Sequence, residues 1–153
     1  GMYRLRSIDP LSGFARDFDL EEDGPVLIGR LSADGVREHL KSLINDVPSE
    51  QKDVISEDIE NVRYTITMKE CKIEPRTVSR VHCMIFPGGQ ARIVDLFSTN
   101  GTVIARKDAG ISLNPGELTD LFPGDLILLS RGRALFHYIG TIPFSDASAH
   151  PPG

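Results

Sequence analysis

Apolar and polar residues alternate along most of this chain with a period of two. Met2–Ile8 sets Tyr3, Leu5 and Ser7 against Arg4, Arg6 and Ile8, which predicts a strand with one buried face. Asp9-Pro10-Leu11-Ser12-Gly13 reads as a turn. Phe14–Leu20 alternates again, with Phe14, Phe18 and Leu20 on one side. After Glu21-Glu22-Asp23-Gly24, a second turn, Pro25–Arg30 is an apolar run that ends in Gly-Arg. Farther on, Tyr64, Ile66 and Met68 alternate with Thr65, Thr67 and Lys69. Val81–Phe86 and Ala91–Leu96 flank the turn Pro87-Gly88-Gly89-Gln90, and Thr102–Ala105 is a short strand. Leu126–Leu129 and Leu135–Ile139 flank Ser130-Arg131-Gly132-Arg133. Short strands punctuated by Gly and Pro predict a β-sandwich or barrel.

Residues 31–62 break the rhythm. Val36, Leu40, Leu43, Ile44 and Val47 repeat with a helical period, which predicts an amphipathic helix capped by Asp34 or Ser32 and stopped by Pro48. Its apolar stripe needs a surface to bury against, and one end of the sandwich is the expected one. Ser49–Asn61, with Val54, Ile55 and Ile59 among acidic residues, reads as a second, weaker helix or an ordered loop. The last residues, 143–153, are rich in Ser, Ala and Pro, carry almost no charge, and are expected to be disordered.

The chain is 153 residues long, and 25% charged and 40% hydrophobic residues give it ordinary globular composition. One domain over residues 3–140 is expected. No apolar stretch approaches the length of a membrane span, and no basic-then-apolar leader opens the chain, so a cytoplasmic protein is expected. A net charge of −5 argues against nucleic-acid binding. Residues 1–75 carry 10 basic and 16 acidic side chains, residues 76–153 carry 7 and 6, so an anion site belongs more naturally to the second half. Cys71 and Cys83 make neither a disulfide framework nor a zinc site and read as buried free thiols. No metal or cofactor is implied.

Three clusters at strand–loop junctions carry chemistry: Gly29-Arg30, Thr77-Val78-Ser79-Arg80-Val81-His82, and Asp95-Leu96-Phe97-Ser98-Thr99-Asn100-Gly101-Thr102. Arg30 and Arg80 offer permanent cations, Ser79 and Thr99 small hydroxyls. Such a donor-rich set suits a phosphate dianion, whereas the Asn100 amide, which both donates and accepts, suits a peptide backbone. The competing reading is a catalytic grouping of Ser79, His82 and Asp95, or Cys83 as nucleophile. Residues three apart in one strand point to opposite faces, and neither a Gly-x-Ser-x-Gly elbow nor a cysteine signature is present, so no enzyme is expected. His39 and His137 read as inert.

The clusters resemble the forkhead-associated (FHA) family, β-sandwiches that bind phosphothreonine peptides. Its pattern is matched in order by Gly29-Arg30, Ser79-Arg80-Val81-His82, Ser98-Thr99-Asn100-Gly101-Thr102 and Pro123-Gly124-Asp125. The resemblance implies a mainly β, FHA-like sandwich of about eleven strands, with a helical insertion at about 31–75 between the Gly-Arg strand and the Ser-x-x-His motif. It implies that Arg30, Ser79, Arg80 and Thr99 contact phosphate or peptide, that Asn100 holds the peptide main chain, and that Gly29, His82 and Gly101 support the loops. The implied partner is a phosphothreonine-containing protein in Ser/Thr kinase signalling, a kinase or its substrate, with no nucleic acid or membrane involved. Two departures stand out. Between Arg30 and Ser79 lie 48 residues, including the acidic Asp46, Glu50, Asp53, Glu57, Asp58 and Glu60, where the family has a short loop. Val103-Ile104-Ala105-Arg106 replaces a second Asn-Gly, which leaves open whether Arg106 and Lys107 face the site. The alternative is an FHA-like docking domain whose phosphate site is covered or unused, with the inserted helices as its interaction surface.

Overall fold

The computed structural model describes residues 1–22, 24–32, 34–36, 38–39, 45, 49, 62, 64–73 and 76–143. Among the described residues eleven strands are found: β1 (Met2–Ile8), β2 (Ala15–Glu21), β3 (Val26–Gly29), β4 (Tyr64–Thr67), β5 (Cys83–Phe86), β6 (Arg92–Asp95), β7 (Thr102–Arg106), β8 (Ala109–Ser112), β9 (Thr119–Asp120), β10 (Leu126–Leu129) and β11 (Ala134–Ile142). They form two sheets, ordered β2-β1-β11-β10-β7-β8 and β4-β3-β5-β6-β9.

The alternation read from the sequence decides which side chains lie between the sheets. On β1, Tyr3, Leu5 and Ser7 are buried, and the facing β2 contributes Phe18 and Leu20. Outward, the directly opposed pairs Arg4–Asp19 and Arg6–Asp17 close as two-pronged ion pairs, with Nε–Oδ1 distances of 2.8 and 2.7 Å. From the second sheet come Val26, Ile28, Ile66, Cys83, Ile85 and Ile93; β10 and β11 add Ile127, Leu129, Ala134, Phe136 and Tyr138. Both cysteines are free and buried; burial raises Cys71 to about 11 and Cys83 well above its usual value, which keeps them protonated and unreactive.

Phe14 departs from its expected place in the core. It precedes β2 and is 37% exposed, with Lys72 lying 4.6 Å above its ring. The strands β8 and β9 carry no clear alternation and were not anticipated. Arg106 ends β7 and Ala109 opens β8 across a two-residue turn in which Lys107 adopts φ 53°.

A second apolar cluster lies on the outer face of the five-stranded sheet. Leu27, Met84 and Val94, the residues between the inward-facing ones, join Val81, Leu96 and Val36. Val36 belongs to the insertion, where residues 34–36 and 38–39 are helical and the Val36 amide donates to the Ser32 carbonyl (3.0 Å), which makes Ser32 the cap. Of the expected apolar stripe, Val36 is the described residue, and it packs on this sheet face. The insertion is also shorter than 31–75, because Tyr64–Thr67 is β4, hydrogen-bonded parallel to β3. Parallel neighbours require a crossover connection, and residues 30–63 provide it. Leu40, Leu43, Ile44, Val47, the acidic residues between 46 and 60, the second predicted helix and the tail from residue 144 lie outside the described residues.

Candidate functional site

β3 ends, β5 begins and β6 ends at the same tip of the sandwich, because β5 runs antiparallel to both neighbours. The three clusters read from the sequence therefore meet. Arg30, Ser79, Arg80 and Thr99 line one open pocket of about 330 Å³, whose wall is completed by Val81, Leu96, Phe97 and His39.

The first contact in the site is between backbones. The Arg30 amide donates to the carbonyls of Ser79 (3.2 Å) and Arg80 (3.0 Å), and the Leu31 amide also donates to Arg80 (3.1 Å). This clamp brings the chains so close that a Cβ on Gly29 would stand 2.3 Å from the Arg80 oxygen. Glycine is required there by the absence of a side chain. With its backbone held, Arg30 projects an exposed guanidinium that makes no ion pair among the described residues, and Arg80 is likewise exposed.

Beneath the pocket, His82 is fully buried and ties the loops before β5 and after β6 together. Its Nδ1 accepts from the Ser79 amide (3.1 Å), so its Nε2 carries the proton and donates to the Gly101 carbonyl (2.9 Å). Burial lowers the pKa of the ring, against the opposing pull of the Gly101 hydrogen bond and the Asp95 charge. The hydroxyl of Ser79 accepts from the Thr99 amide (3.0 Å), which leaves its own proton to donate.

The loop after β6 is built around Asp95, also buried. Its Oδ1 accepts from the hydroxyls of Ser98 (2.5 Å) and Thr102 (2.7 Å), and its Oδ2 from the Ser98 amide (3.1 Å). Ser98 Oγ in turn accepts from the Gly101 amide (3.0 Å), with Gly101 at φ 80°. Asp95 is thus a loop anchor. Ser79, His82 and Asp95 do not form a catalytic relay, although for a different reason from the one expected. Residues 79–82 are a bent loop ahead of β5 and not extended strand, and both nitrogens of His82 are taken by the backbone.

Asn100 stands one step from the pocket. Its Nδ2 donates to the Thr77 carbonyl (2.9 Å), which also receives a short hydrogen bond from the Ser130 hydroxyl. That carbonyl joins the loop 76–82 to the loop after β6 and to the loop between β10 and β11. Beyond it opens a larger concavity of about 860 Å³, with Lys72, Arg76, Arg131 and Arg133 among its walls, where Asp9 is the one carboxylate among the described residues, and with the 92% exposed Leu11 at its edge.

Sequence reasoning missed His39, read as inert, and the anchoring parts of Asp95, Thr77 and Ser130. The Asp-x-x-Ser spacing of 95–98 is a signal that could have shown Asp95, since aspartate accepts from backbone and hydroxyl groups a few residues on. Nothing local marks the Thr77 carbonyl. Arg106 does not face the site. It lies at the opposite end, forked on Asp125 (Nε–Oδ1 2.9 Å, Nη2–Oδ2 2.8 Å) over the ring of Phe122.

The site is thus a tip where three loops meet on a two-sheet sandwich. The family model "FHA domain" matches residues 63–130, from the threshold of β4 to the end of β10. The fold agrees with solved FHA structures. The FHA domain of the CT664 protein from Chlamydia trachomatis aligns with TM-score 0.54 at 16% identity, over 93% of this chain and 100% of that one. An FHA domain of an Arabidopsis thaliana hypothetical protein gives 0.50 at 20%, over 92% and 90%. Full-length yeast Pml1p gives 0.53 at 18%, over 89% and 81%. No curated protein matches the sequence. Residues 63–130 thus match the FHA family model, and the fold is that of solved FHA domains. Among the described residues no helix is long and apolar enough to cross a membrane, and no group of three or more His, Cys, Asp or Glu could hold a metal ion.

Proposed function

We propose that this chain recognises phosphopeptides, and specifically a phosphothreonine held at the pocket of Arg30, Ser79, Arg80 and Thr99. The observation that carries the reading is convergence. Two guanidinium groups and two hydroxyls from three distant stretches line one pocket, and no carboxylate among the described residues lines it with them. A phosphate dianion is the guest that uses such a set, through several short charge-assisted hydrogen bonds. The apolar wall of Val81, Leu96 and Phe97 supplies a surface for the γ-methyl of threonine, which serine lacks. From the phosphate, the peptide continues toward Asn100 and the basic concavity beyond Thr77, which favours acidic residues on that side. The partner is then a phosphorylated protein of Ser/Thr kinase signalling. The exposure of Arg30, Arg80 and Thr99 favours this over a covered site used only as a docking scaffold.

The test is titration of a phosphothreonine peptide library, with unphosphorylated and phosphoserine counterparts, against the wild type and Arg30→Ala. Hydrogen bonds to charged groups contribute about 1.5–3 kcal/mol, so Arg30→Ala should weaken binding about tenfold or more. Equal affinity of the two proteins, or equal binding of unphosphorylated peptide, would overturn the assignment.

A further inference from the structure

The pocket contains one group that the family motifs do not supply. His39 stands on the insertion, nine residues after Arg30, and lines the pocket beside Arg30, Ser79, Arg80 and Thr99. Its place is fixed by packing. Val36, three residues earlier and so on a neighbouring strip of the helix, is 5% exposed in a cluster that includes Val81 and Leu96. Those two residues also form part of the pocket wall. The surface that anchors the helix is therefore continuous with the surface that holds the guest. Val36 secures the helix on it, and His39 is carried to the pocket's edge.

We propose that His39 is a phosphate-binding residue contributed by the insertion, its imidazolium pairing with the phosphate together with Arg30 and Arg80. The inference rests on the phosphopeptide reading and extends it to a residue outside the motifs. Among the described residues, the charged groups that line the pocket with His39 are Arg30, just after β3, and Arg80, in the loop before β5, and those on its own helix are Asp34 and Glu38, both exposed and neither part of the pocket wall. Protonated, the ring adds a third cationic donor for a bound dianion. Histidine is the side chain whose charge changes between pH 5 and 8, so the residue makes affinity depend on proton activity. A phosphomonoester alone weakens as a ligand when the pH falls below about 6. His39 acts in the opposite sense and extends tight binding toward lower pH.

The experiment measures affinity for a phosphothreonine peptide, chosen in the Arg30 titration, from pH 5.5 to 8 for wild type, His39→Gln, His39→Arg and Arg30→Ala. His39→Gln should bind roughly fivefold more weakly at pH 6, a factor expected from loss of one exposed charged hydrogen bond, and as well as wild type at pH 8. His39→Arg, charged throughout, should match wild type at pH 6 and exceed it at pH 8. In wild type, the ring nitrogens of His39 should move toward imidazolium shifts in the NMR spectrum when peptide is added at pH 7. Parallel pH curves for wild type and His39→Gln, or ring shifts unmoved by peptide, would overturn the role of His39 while a weakened Arg30→Ala leaves the pocket assignment standing. Undiminished binding by Arg30→Ala would instead remove the reading on which the inference rests.

Discussion

Gly29 and Gly89 look alike in the sequence, each near the end or turn of a strand, yet their surroundings separate them. A methyl group on Gly29 meets the Arg80 backbone at 2.3 Å, and backbone cannot rotate away; a methyl group on Gly89 meets nothing within 4 Å. Gly29→Ala should therefore push the Ser79–Arg80 loop off β3, cost about 1–3 kcal/mol of stability and weaken phosphopeptide binding. Gly89→Ala should change stability by less than about 0.5 kcal/mol and leave binding untouched. Chemical denaturation and peptide titration of both proteins check this, and an unperturbed Gly29→Ala would show that the clamp is not tight. Residue identities at the pocket were legible because a motif records both residue type and order: Arg30, Ser79, Arg80 and Thr99 line it together. His39 was illegible for a physical reason. Its contact depends on how a helix of the insertion docks on a sheet, and nothing in its immediate neighbours encodes that docking.

At the scale of elements, the same contrast holds. β1 was read from strict alternation because it has one face in the core, where burial enforces the pattern, whereas β5 and β6 were read as short runs flanking a turn and are buried on both faces of their sheet. β8 and β9 bury little: Ala109, Gly110 and Ser112 are exposed, and β9 is two residues long. Such edge strands leave almost no trace in the order of apolar residues. The apolar continuity of β3 has a structural cause too, since Leu27 and Ile28 pack into clusters on opposite faces of its sheet. The loop between β6 and β7 depends on Asp95 as a strand depends on its ladder. Asp95→Ala would leave the buried Thr102 hydroxyl and the Ser98 amide without their acceptor, at a cost of about 1–3 kcal/mol. It should also release Thr99 from the pocket, so phosphopeptide affinity falls although Asp95 never meets the ligand. Hydrogen exchange at Ser98, Thr99 and Gly101 is the measurement; unchanged protection there would show that the loop holds its shape without the carboxylate.

Over the whole molecule, the two ends of the sandwich answer differently to pH. At the recognition end, burial holds His82 below the ordinary histidine value, so the unfolded chain binds its proton first; stability is full above about pH 6.5 and declines as the pH falls below it. At the far end, burial pushes the Asp125 carboxyl up, but the hydrogen bonds from Arg106 and the Phe122 amide and the Arg106 charge outweigh it and hold the group below its usual value. Its contribution is present above about pH 4 and is lost as the pH falls through the lowered folded value. Thermal unfolding of the wild type should thus show two separate losses on acidification. Arg106→Met isolates the second. It leaves Asp125, 2% exposed, without its cation, and should destabilise the protein at pH 7 by about 1–3 kcal/mol, less than for a fully buried pair because Arg106 is partly solvated. The deficit against wild type should narrow below pH 4, where the carboxyl is neutral in both proteins. Phosphopeptide affinity at pH 7 should not change, because Arg106 and the pocket lie at opposite ends of β7. A loss of affinity in Arg106→Met at a temperature where the protein remains folded would mean that the ends are coupled through the sheet, and that the tip is not the self-contained site its hydrogen bonds describe.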